Sequence, residues 1–124
     1  MMQEFKRISI VTICYNAEEK IEKTMRSVLR QTYNNIEYLI IDGASKDKTL
    51  SIVNKVASEY PDKNIVVVSE PDKGLYDAMN KGAALATGEY VNYMNAGDCF
   101  FEDSSVEKLF NISGYDHDLI LGSS

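Results

Sequence analysis

The chain has 124 residues, 44% of them hydrophobic, and a formal net charge of −6. This length fits one domain, and the apolar fraction is sufficient for a folded core, which excludes a disordered chain. The acidic balance argues against nucleic-acid binding, because contact with a phosphate backbone requires a basic surface. An acidic protein can still bind a diphosphate if a divalent cation lies between them.

The cysteines and the apolar segments indicate the compartment. Cys14 and Cys99 are distant in sequence and form no C-x-x-C pair, which is typical of a reducing environment. No segment approaches the roughly 20 consecutive apolar residues of a membrane span, and the N-terminus leads directly into a strand rather than a signal peptide. We therefore expect a cytoplasmic protein.

The hydrophobic pattern alternates between strands and helices. Residues 8–14 are nearly all apolar and often β-branched, as in a strand covered on both faces. Asn16 is in position to cap a helix, with Glu19 completing a capping box. Residues 36–41 predict a second strand, which stops at Asp42.

The second part of the chain continues this alternation. The pattern predicts a helix that starts within 45–49, a strand at 65–68, a helix at 75–86, a strand at 90–94, a helix after a Ser104–Glu107 capping box, and a strand beginning at 118–121. Strands separated by helices form right-handed βαβ units. We predict an α/β fold with a mostly parallel sheet and helices on both faces.

The chain ends at Ser124, just after the last predicted strand begins. No later segment covers the far side of that strand, which indicates a truncated domain. A small complete sheet domain with a frayed end is the alternative.

Ligands of parallel sheets bind outside the carboxyl ends of the strands. At that edge, Asp98 follows a glycine in a short turn and is placed to reach a hard cation such as Mg²⁺ or Mn²⁺. The alternative is an ordinary turn acid, because Gly-Asp is common turn chemistry.

Other polar side chains at this edge also have two interpretations. Asp42 could accept hydrogen bonds from a nucleobase or ribose, or could cap the loop that follows it. Tyr15 could stack on a base or cover the sheet edge. Lys73 could neutralise a phosphate or remain solvated, and Asn80 could turn its amide toward the crevice.

Several familiar sites are absent from the sequence. There is no G-x-G-x-x-G after the first strand and no G-x-x-x-x-G-K-[ST], which excludes a nicotinamide-binding Rossmann unit and a P-loop. His117 is the only histidine, and its two acidic neighbours indicate a surface residue rather than a catalytic base. A receiver-like signalling domain would require paired acids where Tyr15 and Asn16 stand.

Taken together, the segments resemble the inverting family-2 glycosyltransferases with the GT-A fold, a Rossmann-like nucleotide-diphospho-sugar transferase fold. The matching segments are SIVTICYN (9–16), SVLRQTY (27–33), EYLIIDG (37–43), DKT (47–49), DKGLYDAMNKG (72–82) and ATGEYV (86–91). Each is weak alone, but their order and spacing are specific, and the resemblance covers the chain from Ile8 onward.

The resemblance implies transfer of a sugar, with inversion, from a nucleoside-diphosphate donor to an acceptor glycan or lipid-linked saccharide. It also implies a role in cell-surface polysaccharide synthesis, close to a membrane. Asp98 matches the last acid of the DxD-type motif, which meets Mg²⁺ or Mn²⁺ at the diphosphate. The donor-binding residues implied are Tyr15, Asp42, Lys73, Asn80 and Asn95.

The chain departs from the family pattern in two places. The family usually has two adjacent acids before the glycine that ends the second strand, whereas Gly43 follows Asp42 directly. The metal turn has Asn95 and Gly97 where acids are frequent, which leaves Asp98 as its only carboxylate. We therefore expect metal binding to depend strongly on the nucleotide.

The resemblance places the catalytic base in the second half of the domain, beyond Ser124. Residues 1–124 would then be the donor-binding part of a single GT-A domain, without its acceptor-binding half. The alternative is a non-catalytic nucleotide-binding or interaction module that kept the fold.

Overall fold

The computed structural model describes residues 6–108, which form a four-stranded sheet with helices on both faces. The elements are β1 (Ile8–Cys14), α1 (Ile21–Leu29), β2 (Ile36–Asp42), α2 (Thr49–Ser58), β3 (Asn64–Ser69), α3 (Leu75–Leu85) and β4 (Tyr90–Asn95). The strand order is β3-β2-β1-β4, and each neighbouring pair is parallel. The predicted α/β fold is confirmed.

The register brings the ends of all the strands to one edge. Cys14 pairs with Asp42, Asp42 with Ser69, and Ile13 with Asn95. The chain moves outward from β1 to β3 and then returns to the other side of β1 as β4. This reversal leaves a crevice at the carboxyl ends of β1 and β4, where ligands of open α/β sheets bind.

The sheet separates two hydrophobic clusters. The larger one lies under α1 and α2 and includes the buried side chains of Ile8, Ile10, Ile21, Met25, Tyr38, Ile40, Val53, Val56 and Met94. The smaller one lies under α3 and consists of Val11, Leu39, Ile41 and Ala78. Gly82 lets α3 approach β1 closely, because a Cβ there would lie 2.6 Å from Val11 Cγ1.

The predicted start of the first helix was wrong. Asn16 has a φ of 48°, which lies outside the helical region, and α1 begins only at Ile21. The Asn16 side chain accepts a hydrogen bond from the backbone of Lys46 at 2.8 Å, so it joins two loops instead of capping a helix. The predicted capping box with Glu19 does not form.

The predicted capping box of Ser104 and Glu107 was also wrong. Residues 105–108 are helical, but the Glu107 carboxylate accepts a hydrogen bond from the Thr32 hydroxyl at 2.5 Å. The strand predicted at 118–121 and His117 lie outside the described residues. Within residues 6–108, the helices are too short or too polar to cross a membrane.

Candidate functional site

A cavity of about 620 Å³ opens at the carboxyl ends of β1 and β4. The loop between β1 and α1, residues 15–20, forms much of its wall, and Asp72, Gly74 and Leu75 close one side. Asn95 and Ala96 close another side. The volume lies within the range of small-ligand sites, and the position is the one expected for a ligand of this sheet.

The loop that forms this wall is fastened to the loop between β2 and α2. The bonds are Asn16 N to Ser45 Oγ (2.8 Å), Ala17 N to Thr49 Oγ1 (2.7 Å), Glu18 N to Asp47 Oδ2 (3.2 Å), Lys46 N to Asn16 Oδ1 (2.8 Å) and Lys48 N to Glu18 Oε1 (3.1 Å). Each loop donates to the other. The wall of the cavity is therefore positioned by the neighbouring βα unit as well as by its own strand.

Asp42 lies next to these loop-to-loop hydrogen bonds and is not part of the cavity lining. Its side chain is fully buried, and Oδ1 accepts hydrogen bonds from Ser45 Oγ (2.5 Å) and Cys14 Sγ (3.6 Å). Oδ2 accepts from Ser45 N (3.0 Å) and Ser69 Oγ (2.7 Å). The geometry is that of the loop-capping interpretation, and contact between Asp42 and a nucleobase stays a prediction.

The thiol of Cys14 belongs to the same buried group. Burial raises its pKa to about 12, and the nearby charge of Asp42 acts in the same direction. The thiol therefore stays protonated and donates to Asp42 rather than acting as a nucleophile.

Tyr15 stands at the rim of the cavity with 55% of its surface exposed. Its backbone follows the last residue of β1, so the ring lies at the crevice edge of the central strand. An exposed aromatic ring at a polar cavity can stack on a planar ligand. The structure thus brings Tyr15 and Asn95 to one cavity, while their binding roles stay predictions.

The segment from Asn95 to Asp98 forms a tight turn directly after β4. The backbone of Asp98 donates to Asn95 O at 2.9 Å, and Asp98 Oδ2 accepts from Asn95 N at 3.0 Å. Gly97 has a φ of 109°, which only glycine adopts readily, and donates to Thr24 Oγ1 at 2.7 Å. One oxygen of Asp98 therefore holds the turn, as an ordinary turn acid would.

The other oxygen of Asp98, Oδ1, accepts no hydrogen bond from a residue that the structure describes. Among residues 6–108, no group of three or more His, Cys, Asp or Glu side chains is arranged to hold a metal ion. One free carboxylate oxygen fits a hard cation that takes its other ligands from phosphate and water. It does not fit a cage built from protein side chains alone.

Two of the predicted donor-binding residues, Lys73 and Asn80, lie outside the cavity lining. Lys73 is exposed and outside the cavity lining, and its backbone N–H donates to Asp77 Oδ2 at 2.9 Å at the start of α3. Asn80 is exposed on α3 and also outside the lining. Their roles stay predictions.

Residues 9–124 match the family model described as glycosyl transferase family 2. The chain belongs to this family. It is 32% identical over 101 residues to a PGL/p-HBAD biosynthesis glycosyltransferase of Mycobacterium bovis, a match that covers 82% of this chain and 39% of the relative. The curated relatives that it matches are longer, and the chain spans about two fifths of their length.

Solved structures of other proteins also resemble this family-2 chain. A mannosyltransferase from Pyrobaculum calidifontis, in complex with GDP-Man and Mn²⁺, superimposes with a TM-score of 0.82 at 25% identity. The match covers 90% of this chain and 33% of that one. S. aureus TarS in complex with UDP-GlcNAc shares the fold, with a TM-score of 0.75 at 23% identity over 85% of this chain and 30% of that one.

Sequence reasoning missed Lys20. Its side chain crosses Gly97, because a Cβ on that glycine would lie 3.4 Å from Lys20 Cδ. Lys20 also lines the cavity and forms no ion pair with a described residue. The error in the start of α1 hid it, since residue 20 was placed inside a helix rather than on the cavity wall.

Among the described residues that line this cavity, Lys20 is the only basic one, and the acidic ones are Glu18, Glu19, Asp47 and Asp72. Asp47 and Glu18 already accept backbone hydrogen bonds that join the two loops, from Glu18 N and Lys48 N respectively. Burial raises the pKa of Asp47, but hydrogen bonds from the Thr49 hydroxyl and from the backbone of Thr49 and Glu18 outweigh it, so the pKa lies below its ordinary value and the carboxylate stays ionised. The cavity lining therefore has more acidic than basic side chains, and its lysine lies across the Asn95–Asp98 turn.

Proposed function

We propose that residues 1–124 are the donor-binding part of a single GT-A glycosyltransferase domain that binds a nucleoside-diphosphate sugar together with Mg²⁺ or Mn²⁺. The whole protein would transfer the sugar with inversion to an acceptor glycan or lipid-linked saccharide in cell-surface polysaccharide synthesis. It would act in the cytoplasm, near a membrane. The catalytic base would come from the part of the domain beyond Ser124.

The observation that carries this proposal is the composition of the cavity at the ends of β1 and β4. An exposed aromatic ring, Tyr15, lies at one side, and Asn95 and Ala96, the first residues of the turn that ends at Asp98, lie at another. A nucleoside diphosphate has the matching parts, a planar base and a polyanion. The complex of the Pyrobaculum mannosyltransferase with GDP-Man and Mn²⁺ supports the same pairing of ligand and metal.

Each residue of the site has a role in the proposal. Tyr15 would stack on the base, and Asp42 would act on the base region by holding the loops around it. Asp98 Oδ1 would be the protein ligand of the cation, with Asn95 beside the diphosphate. A bound divalent cation would neutralise the diphosphate and stabilise the charge that develops on the leaving group. Lys73 would neutralise a phosphate of the donor, and Asn80 would turn its amide toward the crevice.

Binding measurements test this proposal on the chain as it stands. We expect UDP or GDP to bind weakly alone and at least about tenfold more tightly with Mn²⁺, because most metal ligands come from the diphosphate. Asp98→Asn should remove the gain from Mn²⁺ while leaving weak binding of the nucleotide. Isothermal titration of Mn²⁺ with and without nucleotide measures both effects.

Asp62→Asn is the matched control, because Asp62 is an exposed aspartate at the opposite end of the sheet. It should leave the gain from Mn²⁺ unchanged. Equal Mn²⁺ binding in the presence and absence of nucleotide would contradict the proposal, as would an Asp98→Asn variant that behaves like the wild type.

A further inference from the structure

Two side chains meet above the backbone of Gly43, the residue that follows β2. A Cβ on Gly43 would lie 2.8 Å from Asp72 Oδ2 and 3.4 Å from Tyr15 Cδ1. The carboxylate of Asp72 therefore occupies the space that a side chain at position 43 would need. The absence of a side chain there brings an acid from another loop next to the ring of Tyr15.

The loop that carries Asp72 is attached to α3 on both sides of this residue. Asp72 Oδ1 accepts from Gly74 N at 3.2 Å, and Lys73 N donates to Asp77 Oδ2 at 2.9 Å. Before Asp72, the Lys81 ammonium donates to Pro71 O at 2.8 Å. The carboxylate is thus held by a helix rather than by a free loop tip.

The second oxygen of Asp72 remains available to a ligand. No described residue donates to Oδ2, and Asp72 lines the cavity beside a ring that is 55% exposed. A planar ligand stacked on Tyr15 would present its edge to a hydrogen-bond acceptor that carries negative charge. Such an acceptor distinguishes an N–H group from a nitrogen lone pair at that edge.

We propose that Asp72 determines nucleobase specificity by accepting a hydrogen bond from a ring N–H of a base stacked on Tyr15. This inference rests on the proposed function, since it assumes that a nucleoside diphosphate enters the cavity. Uracil, guanine and hypoxanthine carry a ring N–H on the pairing edge. At the same ring position cytosine and adenine present a nitrogen lone pair, which a carboxylate repels, and their nearest N–H donor is the exocyclic amino group.

Two pairs of nucleotides that differ mainly in this group provide the test. With Mn²⁺ present, we expect the chain to bind UDP more tightly than CDP, and IDP more tightly than ADP, by roughly 10- to 100-fold. Asp72→Asn should abolish or reverse both preferences, because an amide can donate to the ring nitrogen of cytosine or adenine. Titration calorimetry of the four diphosphates measures the dissociation constants.

The controls separate specificity from folding. Asn keeps an acceptor oxygen for Gly74 N, so we expect the thermal midpoint of Asp72→Asn to stay close to that of the wild type. Asp72→Glu, which keeps the charge but moves it, should bind UDP more weakly and still prefer UDP to CDP. Asp62→Asn should leave both preferences intact.

Two results would overturn the inference: a wild-type chain that binds all four diphosphates equally, or preferences that survive Asp72→Asn. In both cases Mn²⁺-dependent binding would persist, and the proposed function would stand. If none of the four diphosphates binds in a Mn²⁺-dependent way, the proposed function fails, and this inference fails with it.

Discussion

Strand β2 carries a buried carboxylate at each end, and the two serve different purposes. Glu37 pairs in register with Ser9, and Asp42 pairs with Cys14, so the two acids lie at opposite edges of the same sheet. Glu37 is 7% exposed and Asp42 is fully buried. Both accept hydrogen bonds from hydroxyl and backbone groups of neighbouring segments.

The partners of Glu37 belong only to the framework of the sheet. Oε1 accepts from Ser9 Oγ (2.8 Å) and Thr87 N (2.8 Å), and Oε2 accepts from Thr87 Oγ1 (2.9 Å). A Cβ on Gly88 would lie 2.7 Å from the backbone nitrogen of Ser9, so the backbone of the turn before β4 packs directly against the backbone of β1 at this edge. Glu37 ties the turn before β4 to the two central strands.

The partners of Asp42 belong to loops that form the cavity. Through Ser45, this carboxylate is connected to the backbone of Asn16, next to Tyr15. Next to it, the side chains of Asp72 and Tyr15 lie over Gly43. Two acids of the same strand, both within segments that resemble the family, thus support the fold at one edge and the site at the other.

The largest expected effect is a loss of stability in Glu37→Ala. This substitution leaves the hydroxyl of Ser9 and two donors of Thr87 without their acceptor, which should lower the free energy of unfolding by about 2–3 kcal/mol. The UDP–Mn²⁺ dissociation constant of the folded protein should be unchanged, because the acid is remote from the cavity. Urea unfolding and titration calorimetry measure the two quantities.

Glu89→Gln is the control for charge at this edge, since Glu89 is exposed and pairs with Lys6 at 3.2 Å on the surface. Its cost should be below about 0.5 kcal/mol. If Glu37→Ala weakened nucleotide binding as much as stability, the distinction between the two edges would be lost.

Ser45→Ala should weaken nucleotide binding, in contrast to Glu37→Ala, which should change stability alone. Its hydroxyl joins Asp42 Oδ1 to Asn16 N, so its removal frees the loop that presents Tyr15. We expect a stability loss of about 1 kcal/mol and a dissociation constant for UDP–Mn²⁺ raised about tenfold. Ser45→Thr, which keeps the hydroxyl, should restore most of the affinity.

Thr87→Val provides the matched comparison, because it also removes one hydroxyl that donates to a buried carboxylate of β2. Its stability cost should resemble that of Ser45→Ala, without a change in affinity. Equal affinities for the two variants would show that the Asp42 edge supports the fold only.

The sequence predicted the sheet because its periodicity records burial. Apolar β-branched runs require cover on both faces, and the connecting helices fix parallel strands, which also locates the crevice. The Asn95–Asp98 turn followed from the same reasoning. These conclusions depend on patterns that are local in sequence.

The partners of individual polar side chains were not predictable in this way. An aspartate at a strand end looks the same in sequence whether it accepts from a ligand or, as Asp42 does, from Ser45 and Ser69. The approach of Asp72 to Gly43 depends on how two distant loops pack. Lys20 was missed because Asn16 satisfied the rules for a helix cap while its side chain bonded to another loop.

A smaller effect is expected for Lys20→Met. The ammonium group balances an acidic cavity next to the Asn95–Asp98 turn, and it should attract a diphosphate without holding it in one geometry. We predict a UDP–Mn²⁺ dissociation constant raised about threefold to fivefold, with a weaker dependence on salt. Calorimetry at two salt concentrations measures both.

Lys55→Met is the control, because Lys55 is exposed on α2 and outside the cavity lining. It should change neither quantity. An unchanged affinity in Lys20→Met would mean that the side chain remains in solvent instead of contacting the diphosphate.

The smallest predicted effect is the pH dependence of stability that Glu37 contributes. Burial raises the pKa of Glu37, but hydrogen bonds from the Thr87 backbone and from the Ser9 and Thr87 hydroxyls outweigh it, with help from the charge of Arg7. Its pKa in the fold therefore lies below the ordinary value of 4.5. As the pH falls, the unfolded chain takes up this proton first.

The stabilisation from ionised Glu37 is thus fully present above the unfolded pKa and is lost as the pH falls through the folded pKa. We predict that the wild type loses stability more steeply than Glu37→Gln below about pH 4.5, so that their unfolding free energies converge in acid. Urea unfolding from about pH 7 to about pH 3 tests this. Parallel curves would show that Glu37 binds its partners equally well when protonated. The edge of the sheet at Glu37 would then be stabilised by packing and neutral hydrogen bonds rather than by the charge of the carboxylate.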